Sequence, residues 1–241
     1  MNEDRIYSVP LQRVGDFQFD DAVADVFPDM IRRSVPGYGS MLSMIAQCTE
    51  RFAQPESCIY DLGCSLGAAT LLIRQHAPPS CQIHAVDNSS AMMERLQKRL
   101  NPIPPTAADV ILHQADMRDI EIRNASLVVL NLTLQFLPPA ERSEFLRKIG
   151  EGTVAGGALV LSEKICFDDA AQQELMTTLH HDFKRAHGYS DLEIAQKRTA
   201  IENRLIPETM DVHVERLKSA GFRTVCPWLQ CFNFASILAV K

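Results

Sequence analysis

The chain has 241 residues, of which 46% are hydrophobic and 22% are charged. This is the balance of a globular protein, and no apolar run is long enough to span a membrane, so membrane and disordered classes are excluded. A net charge of -6 disfavours the phosphate backbone of nucleic acid as a direct partner. The N-terminal residues have no apolar core typical of a signal peptide, so we expect a cytoplasmic protein.

The metal-binding residue types show no ligand spacing. The seven cysteines are odd in number and form no C-x-x-C pair, which indicates reduced thiols in the core. The one close histidine pair, His180 and His181, occupies adjacent positions that point apart on a helix. We therefore predict that the chain holds no metal ion.

The first two thirds of the chain change from helical spacing to an alternating pattern. Residues 20–53 have apolar residues at helical spacing with a break at 36–37, which predicts an N-terminal helical layer. Over 58–164, short apolar runs alternate with helical patterns, which predicts a parallel sheet with helices on both faces. The glycine pair at 156–157 predicts the end of a helix before the next strand.

The last third is predicted to add a helical piece and a closing hairpin. Residues 168–205 form a charged helical arm, too long for a simple crossover between strands. After a helix at 208–220, the runs 222–228 and 230–240 are joined too tightly for a crossover, so these strands must be antiparallel. We interpret 1–241 as one domain with helical decorations.

The densest chemistry lies in YDLGCSLGAAT, where a strand turns through small residues into a helix. Gly63 and Gly67 permit close approach of a ligand, and the free N–H groups of the helix start attract negative groups. The next strand ends in Asp87, a carboxylate that could accept both hydroxyls of a ribose. Asp116 follows the third strand at the same edge. The pattern favours a nucleotide-like ligand over a purely structural turn.

Three chemistries compete for this turn. A dinucleotide fingerprint is disfavoured because Ser65 stands where its second glycine is needed. The string G-x-S-x-G would make Ser65 the nucleophile of a serine hydrolase, but the preceding segment is helical and has no oxyanion loop. The third pattern, at Asp61, Gly63, Ser65 and Gly67, resembles the D-x-G-x-G-x-G motif of class I S-adenosylmethionine-dependent methyltransferases, with serine in place of one glycine.

This resemblance implies a fold and a ligand. The fold is a Rossmann-like α/β three-layer sandwich, with a mainly parallel seven-stranded sheet whose last strand is antiparallel. The ligand is S-adenosyl-L-methionine. By resemblance, the first motif meets its methionine end, Asp87 holds the ribose and Asp116 lies near the adenine.

Longer segments resemble one branch of that superfamily, the carboxy-S-adenosyl-L-methionine synthases. They include GDFQFDDAVADVFPDMIRRSVPGY, NLTLQFLPP, LHHDFKRAHGYSDLEIAQKRTAIEN and WLQCFNFASILAVK, and together they span nearly the whole chain. The resemblance implies a homodimeric transferase that takes S-adenosylmethionine and prephenate and yields carboxy-S-adenosylmethionine and phenylpyruvate. The product would serve 5-oxyacetyl modification of wobble uridine in tRNA by a later enzyme.

The resemblance also implies the site residues. The positions expected to contact the ligand are Tyr38, Gly63, Cys64, Ser65, Asp87, Asn88, Asp116, Met117, Asn131 and Arg198. Arg198 is assigned the catalytic role, because a guanidinium fork fits the carboxylate of the product; whether it acts on its own subunit's ligand or a neighbour's stays open. On the residues alone, Arg198 could be a solvated helix arginine, Tyr38 a half-buried aromatic and Asn131 a turn cap.

Two other functions and one alternative assembly remain open. Methylation of a small molecule by the same fold is the closest alternative, and a binding protein without turnover is suggested by Ser65 and by the lack of an evident general base. The apolar positions of the arm 168–205 need a surface, so we expect a homodimer with crossing arms. The alternative is an arm that folds over its own crevice.

Overall fold

The computed structural model describes residues 2–101, 107–202 and 204–241, so residues 1, 102–106 and 203 of the predicted domain and arm lie outside the described residues. The helices in these ranges are α1 Asp21–Ser34, α2 Tyr38–Phe52, α3 Ala68–His76, α4 Ser90–Leu100, α5 Pro139–Gly152, α6 Ala170–Ala186, α7 Asp191–Ile201 and α8 Met210–Ser219. The strands are β1 Cys58–Leu62, β2 Gln82–Asp87, β3 Asp109–Gln114, β4 Ala125–Asn131, β5 Thr153–Lys164, β6 Thr224–Cys231 and β7 Phe234–Val240. Two short 3-10 turns span Met117–Asp119 and Leu134–Phe136.

The strands form one seven-stranded sheet in the order β3-β2-β1-β4-β5-β7-β6. β7 is antiparallel to both of its neighbours, and every other pairing is parallel. This confirms the predicted sheet with its antiparallel last strand. The strand order reverses between β1 and β4, and in open α/β sheets that point creates a crevice at the carboxyl ends of the strands.

Helices cover both faces of the sheet, which confirms the three-layer sandwich. On one face, Phe145 and Ile149 of α5 and Leu217 of α8 pack into the same cluster as the strands. On the other face, Ile45 of α2 and Ile73 of α3 do so. Because the central strands are buried on both faces, they are almost continuously apolar rather than alternating.

The start of β5 differs from the prediction. The helix end expected at 148–152 is confirmed, because α5 ends at Gly152. We expected the next strand to follow the glycine pair at 156–157, but β5 already begins at Thr153. The ladder with β4 skips from Thr153 to Ala158, so the glycines lie in an irregular stretch of the strand. Gly157 fits there because a Cβ atom would lie 2.9 Å from the Ala125 carbonyl oxygen.

The helical arm packs against the N-terminal segment of its own chain. The Phe17 amide donates to the Ala200 carbonyl over 2.9 Å, and the Gln196 side-chain amide donates to the carbonyls of Tyr7 and Val9. The first residues of the chain are therefore held by α7. Among the described helices, none is both long and apolar enough to cross a bilayer.

Candidate functional site

A crevice of about 660 Å³ opens at the carboxyl ends of the central strands. Nine of the ten residues expected to contact the ligand line it: Tyr38, Gly63, Cys64, Ser65, Asp87, Asn88, Asp116, Met117 and Asn131. They come from five separate segments, which the sheet brings to one edge. Arg198 is the exception and lies elsewhere.

The turn between β1 and α3 needs glycine at two positions. Gly63 has φ of 82° and Gly67 has φ of 79°, in the left-handed region that side chains disfavour. A Cβ atom on Gly63 would also lie 2.3 Å from Thr133 Cγ2, and one on Gly67 would lie 2.2 Å from Leu96 Cδ1. The tight turn keeps the start of α3 open to the crevice.

Ser65 adopts a left-handed backbone without being glycine, with φ of 50°. Its amide donates to Asp87 Oδ2 over 2.9 Å, which holds the turn against the end of β2. Its hydroxyl donates to the Met92 sulfur over 3.3 Å. Within the described parts of the chain no histidine bonds to Ser65, so the structure does not form the nucleophile and base pair that a serine hydrolase needs.

Asp61 is a buried carboxyl that supports the turn from below. It is 1% exposed and accepts a 2.5 Å hydrogen bond from the Thr70 hydroxyl, which ties β1 to α3. Burial, with a smaller contribution from the charge of Asp87, raises the pKa of Asp61 to about 6. The negative charge of this carboxyl is therefore costly, and the first motif uses Asp61 as a positioning residue.

Asp87 is poised to bind hydroxyl groups. Its Oδ1 accepts the Ser89 amide and its Oδ2 accepts the Ser65 amide, each over 2.9 Å. Burial raises the pKa of Asp87, while the two amide bonds oppose that shift. A carboxylate oxygen has two acceptor positions, so each oxygen retains one for a ribose hydroxyl.

Asp116 has a partner that the sequence analysis missed. Arg118 donates from Nε to Asp116 Oδ1 over 2.9 Å and from a terminal nitrogen to Oδ2 over 2.6 Å. This fork lowers the pKa of Asp116. Arg118 also bonds to Glu141. The sequence signal for this pair is the D-x-R spacing after β3. The pairing with Arg118 favours the ionised form of Asp116 at the crevice edge.

Asn131 and Tyr38 present polar atoms that suit a ligand. The Oδ1 atom of Asn131 is buried and accepts no hydrogen bond within the described chain. An unpaired buried acceptor costs roughly 1–3 kcal/mol, so a ligand donor there would be stabilising. Tyr38 begins α2, and burial together with the charge of Asp61 raises the pKa of its phenol, so the hydroxyl keeps its proton.

Three aromatic side chains, those of Phe19, Phe27 and Phe136, form one wall of the crevice. Phe19 packs edge-on against Phe27 and Phe136, with ring centroids 5.9 and 5.6 Å apart. The Ser89 hydroxyl donates to the Phe19 carbonyl over 2.6 Å and fixes the wall beside Asp87. No motif predicted this wall, because its residues come from distant segments that only the fold brings together.

Arg198 lies on the outer face of α7, outside the crevice lining. Its side chain is 65% exposed, and its Nε atom lies 3.9 Å from Glu202 Oε2. Burial and, to a smaller extent, the nearby charge of Arg198 lower the pKa of Lys164, at the end of β5. The assignment of Arg198 to a carboxylate stays a prediction.

All seven cysteines are free thiols. Cys64 lines the crevice, and burial raises the pKa of its thiol. No cluster of three or more His, Cys, Asp or Glu side chains that could hold a metal ion occurs in residues 2–101, 107–202 and 204–241.

Solved structures of low sequence identity share this fold. The chain matches an O-methyltransferase family protein from Burkholderia thailandensis with a TM-score of 0.63 at 17% identity, covering 92% of this chain and 60% of that one. It matches the magnesium protoporphyrin IX methyltransferase from Synechocystis, determined with bound SAH, with a TM-score of 0.58 at 15% identity, covering 94% and 90%. The family model described as a methyltransferase domain matches residues 59–157.

Relatives of much higher identity match from end to end. The carboxy-S-adenosyl-L-methionine synthase of Aliivibrio salmonicida is 54% identical over 100% of this chain and 99% of its own length. The synthases of Vibrio campbellii and Klebsiella pneumoniae are 55% and 52% identical, over 98% and 97% of their lengths. A class I methyltransferase fold and this full-length identity lead to one assignment: the chain belongs to the carboxy-S-adenosyl-L-methionine synthase family.

Proposed function

We propose that this chain converts S-adenosylmethionine and prephenate into carboxy-S-adenosylmethionine and phenylpyruvate. The observation that supports it most is the identity of 52–55% with synthases over the full chain. Identity at this level, without gaps in coverage, extends to the arm and the closing hairpin as well as to the first motif. It therefore distinguishes a synthase from a general methyltransferase.

The crevice residues fit S-adenosylmethionine. Asp87 would accept the ribose hydroxyls, and Asp116 would lie near the adenine with Arg118 beside it. The free amides at the start of α3 suit the carboxylate of the methionine end. Asn131 Oδ1, which has no partner in the described chain, would accept a hydrogen bond from the ligand.

In this reaction the protein mainly positions the two substrates. When bound, S-adenosylmethionine supplies a methyl group next to a sulfonium. Prephenate releases carbon dioxide and hydroxide as its ring aromatises. The hydroxide takes a proton from the methyl group, and the methyl carbon takes up the carbon dioxide. The residues of this chain then orient the two substrates and exclude water. The wall of Phe19, Phe27 and Phe136 suits the second task. Arg198 would pair with the new carboxylate.

We propose that the product, carboxy-S-adenosylmethionine, passes to a later enzyme that modifies wobble uridine in tRNA. We also propose that the synthesis takes place in the cytoplasm. The net charge of -6 supports a division of labour in which this chain itself does not bind the tRNA.

Methylation of a small molecule by the same fold is the second candidate, favoured by the similarity to O-methyltransferases. The test is incubation with methyl-labelled S-adenosylmethionine and prephenate. The synthase keeps the label on the sulfonium compound while phenylpyruvate appears. A methyltransferase moves the label to an acceptor and leaves prephenate unchanged. The second result would overturn the proposal.

A further inference from the structure

A group of basic side chains lies at the carboxyl end of β5, where α6 and α7 pack; Lys164, Lys184 and Lys197 are named here the lysine cluster. Lys164 is the direct cross-strand partner of Phe234, so both side chains lie on the same face of the sheet. Phe234 packs edge-on against His180, with ring centroids 5.0 Å apart. Lys184 follows His180 by one helical turn, on the same side of α6.

Ser34, at the end of α1, connects the third lysine to this group. His180 donates from Nε2 to the Ser34 carbonyl over 2.8 Å. Lys197 donates from Nζ to the Ser34 hydroxyl over 3.0 Å and lies 3.5 Å from Asp4 Oδ2. The end of β5, α6 and α7 therefore meet around one point, and each contributes a cation.

The lysine cluster has fewer carboxylate partners than cations. Lys197 pairs with Asp4, which also accepts a hydrogen bond from the Tyr189 hydroxyl. Neither Lys164 nor Lys184 makes a hydrogen bond from its ammonium group or has a carboxylate at ion-pair distance in the described parts of the chain. Burial and the charges of the other two lysines lower the pKa of Lys184 to about 7. Half-buried cations such as Lys164 and Lys184 are costly without a counter-ion, and a bound anion would offset that cost.

The lysine cluster adjoins the substrate crevice. Phe234 belongs to the same apolar cluster as Ile31, Tyr38 and Leu132, and those three residues line the crevice. Phe234 therefore connects the crevice wall to Lys164. Arg198, the residue assigned to the new carboxylate, is also a neighbour of Lys164.

We infer that Lys164 and Lys184 bind a carboxylate of the second substrate at the end of β5. This inference rests on the proposed function, in which that substrate is a dicarboxylate. Prephenate carries one carboxylate on its ring, which is lost, and one on its pyruvyl side chain, which remains in phenylpyruvate. The lysines hold the retained carboxylate, because an anchor must stay bound while the other carboxylate leaves. Substrate and product therefore share this anchor.

The test is kinetic and uses Lys164→Met, Lys184→Met and the double variant. Loss of one charged hydrogen bond should raise the KM for prephenate by about tenfold or more, and the double variant should show the larger rise. The Kd of S-adenosylmethionine, measured by calorimetry, should stay within about twofold. Lys184→Arg should recover part of the prephenate affinity. Folding should survive, because methionine removes an unpaired buried charge.

Phenylpyruvate binding, measured by calorimetry, provides a readout independent of turnover. Wild type should bind it, and both methionine variants should weaken it; Lys218→Met, at an exposed lysine paired with Glu215, should not. An unchanged KM with normal turnover would overturn the inference and leave the proposed function intact. No turnover of prephenate, with lysine-dependent binding of phenylpyruvate, would overturn the proposed function alone. A change in oligomeric mass without a change in KM would assign the lysines to a subunit contact and overturn the inference.

Discussion

At the scale of single residues, we expect the carboxylate of Asp87 to contribute strongly to ligand affinity. Asp87→Ala removes an ionised acceptor from two ribose hydroxyls and should weaken S-adenosylmethionine binding by roughly 1.5–3 kcal/mol. Calorimetric titration measures this loss. Asp109→Ala, at the exposed opposite end of the neighbouring strand, is the control and should bind as wild type does. Equal affinity in both variants would contradict the ribose-binding role.

Ser65 gives a second test, which separates backbone conformation from side-chain chemistry. Ser65→Gly removes the strain of a left-handed backbone, which costs a residue with a side chain roughly 1–2 kcal/mol in the folded state. Glycine also gives the unfolded chain more freedom, which opposes this gain in stability by roughly 0.5–1 kcal/mol. We expect Ser65→Gly to unfold at a slightly higher temperature than Ser65→Ala and both to keep S-adenosylmethionine affinity. A loss of activity in both, with binding unchanged, would make the hydroxyl a reactive group.

Arg198 is tested by a substitution that keeps its charge. Arg198→Lys replaces a planar fork by a point charge, so affinity for carboxy-S-adenosylmethionine should fall much more than affinity for S-adenosylmethionine. Calorimetry with both ligands gives the comparison. Equal losses for the two ligands would remove Arg198 from the carboxylate role.

At the scale of elements, the turn Leu134–Phe136 forms part of the crevice wall and is fixed by one buried carboxyl. Glu163 on β5 accepts the amides of Leu134 and Gln135, each over 2.9 Å. Arg142 of α5, which is fully buried, donates to the Gln135 carbonyl over 3.0 Å. The sheet and α5 therefore hold this turn from two sides.

This carboxyl makes stability depend on pH. Burial raises the pKa of Glu163 to about 8, although the amide bonds and Arg142 oppose the shift. The folded pKa lies above the unfolded one, so this contribution to stability is complete below the unfolded pKa, about 4.3, and is lost as pH rises through about 8. By itself this carboxyl should lower the Tm between about pH 5 and about pH 8, whereas the lowered pKa values of the buried His180 and His213 act in the opposite direction below about pH 6.5.

Glu163→Gln should reduce the slope of Tm against pH over that interval, because glutamine does not titrate, whatever its effect on the Tm itself. Asp61 shifts in the same direction, so part of the slope should remain. Glu174→Gln, at an exposed position of α6, should keep the full slope. Identical slopes in all three proteins, measured by calorimetric melting, would contradict the role of Glu163.

The elements also show what a sequence can predict. The positions of the strands along the chain and their directions were predicted because each leaves a local pattern, including the tight link that makes the last pair antiparallel. The position of Gly63, Asp87 and Asn131 at the crevice could be predicted because each ends or follows a strand at the carboxyl edge. The aromatic wall and the start of β5 depend on tertiary contacts, which have no local signature, whereas the Arg118 fork joins residues two apart and did leave one in the D-x-R spacing.

At the scale of the whole molecule, we propose that the arm takes part in the assembly. In one chain α7 covers the N-terminal segment, so part of the apolar surface that we expected to need a partner is already buried. Leu175 and Leu192 remain 54% and 38% exposed. We propose that a second copy covers them and that the protein is a homodimer.

Light scattering at micromolar concentration tests this assembly and should give twice the chain mass. Leu175→Glu should shift the mass toward the monomer, because a charge would be buried in the interface, whereas Glu174→Gln should leave it unchanged. A monomer mass for the fully active wild type would contradict the dimer.

The activity that we propose for this protein is the synthesis of a carboxylated form of S-adenosylmethionine. The most direct measurement is mass spectrometry of the nucleosides released on denaturation, after incubation of the protein with S-adenosylmethionine and prephenate. We predict S-adenosylmethionine that is heavier by one added carboxyl group, and none of this compound when prephenate is left out. Release of unmodified S-adenosylmethionine alone, with prephenate unconsumed, would contradict the account.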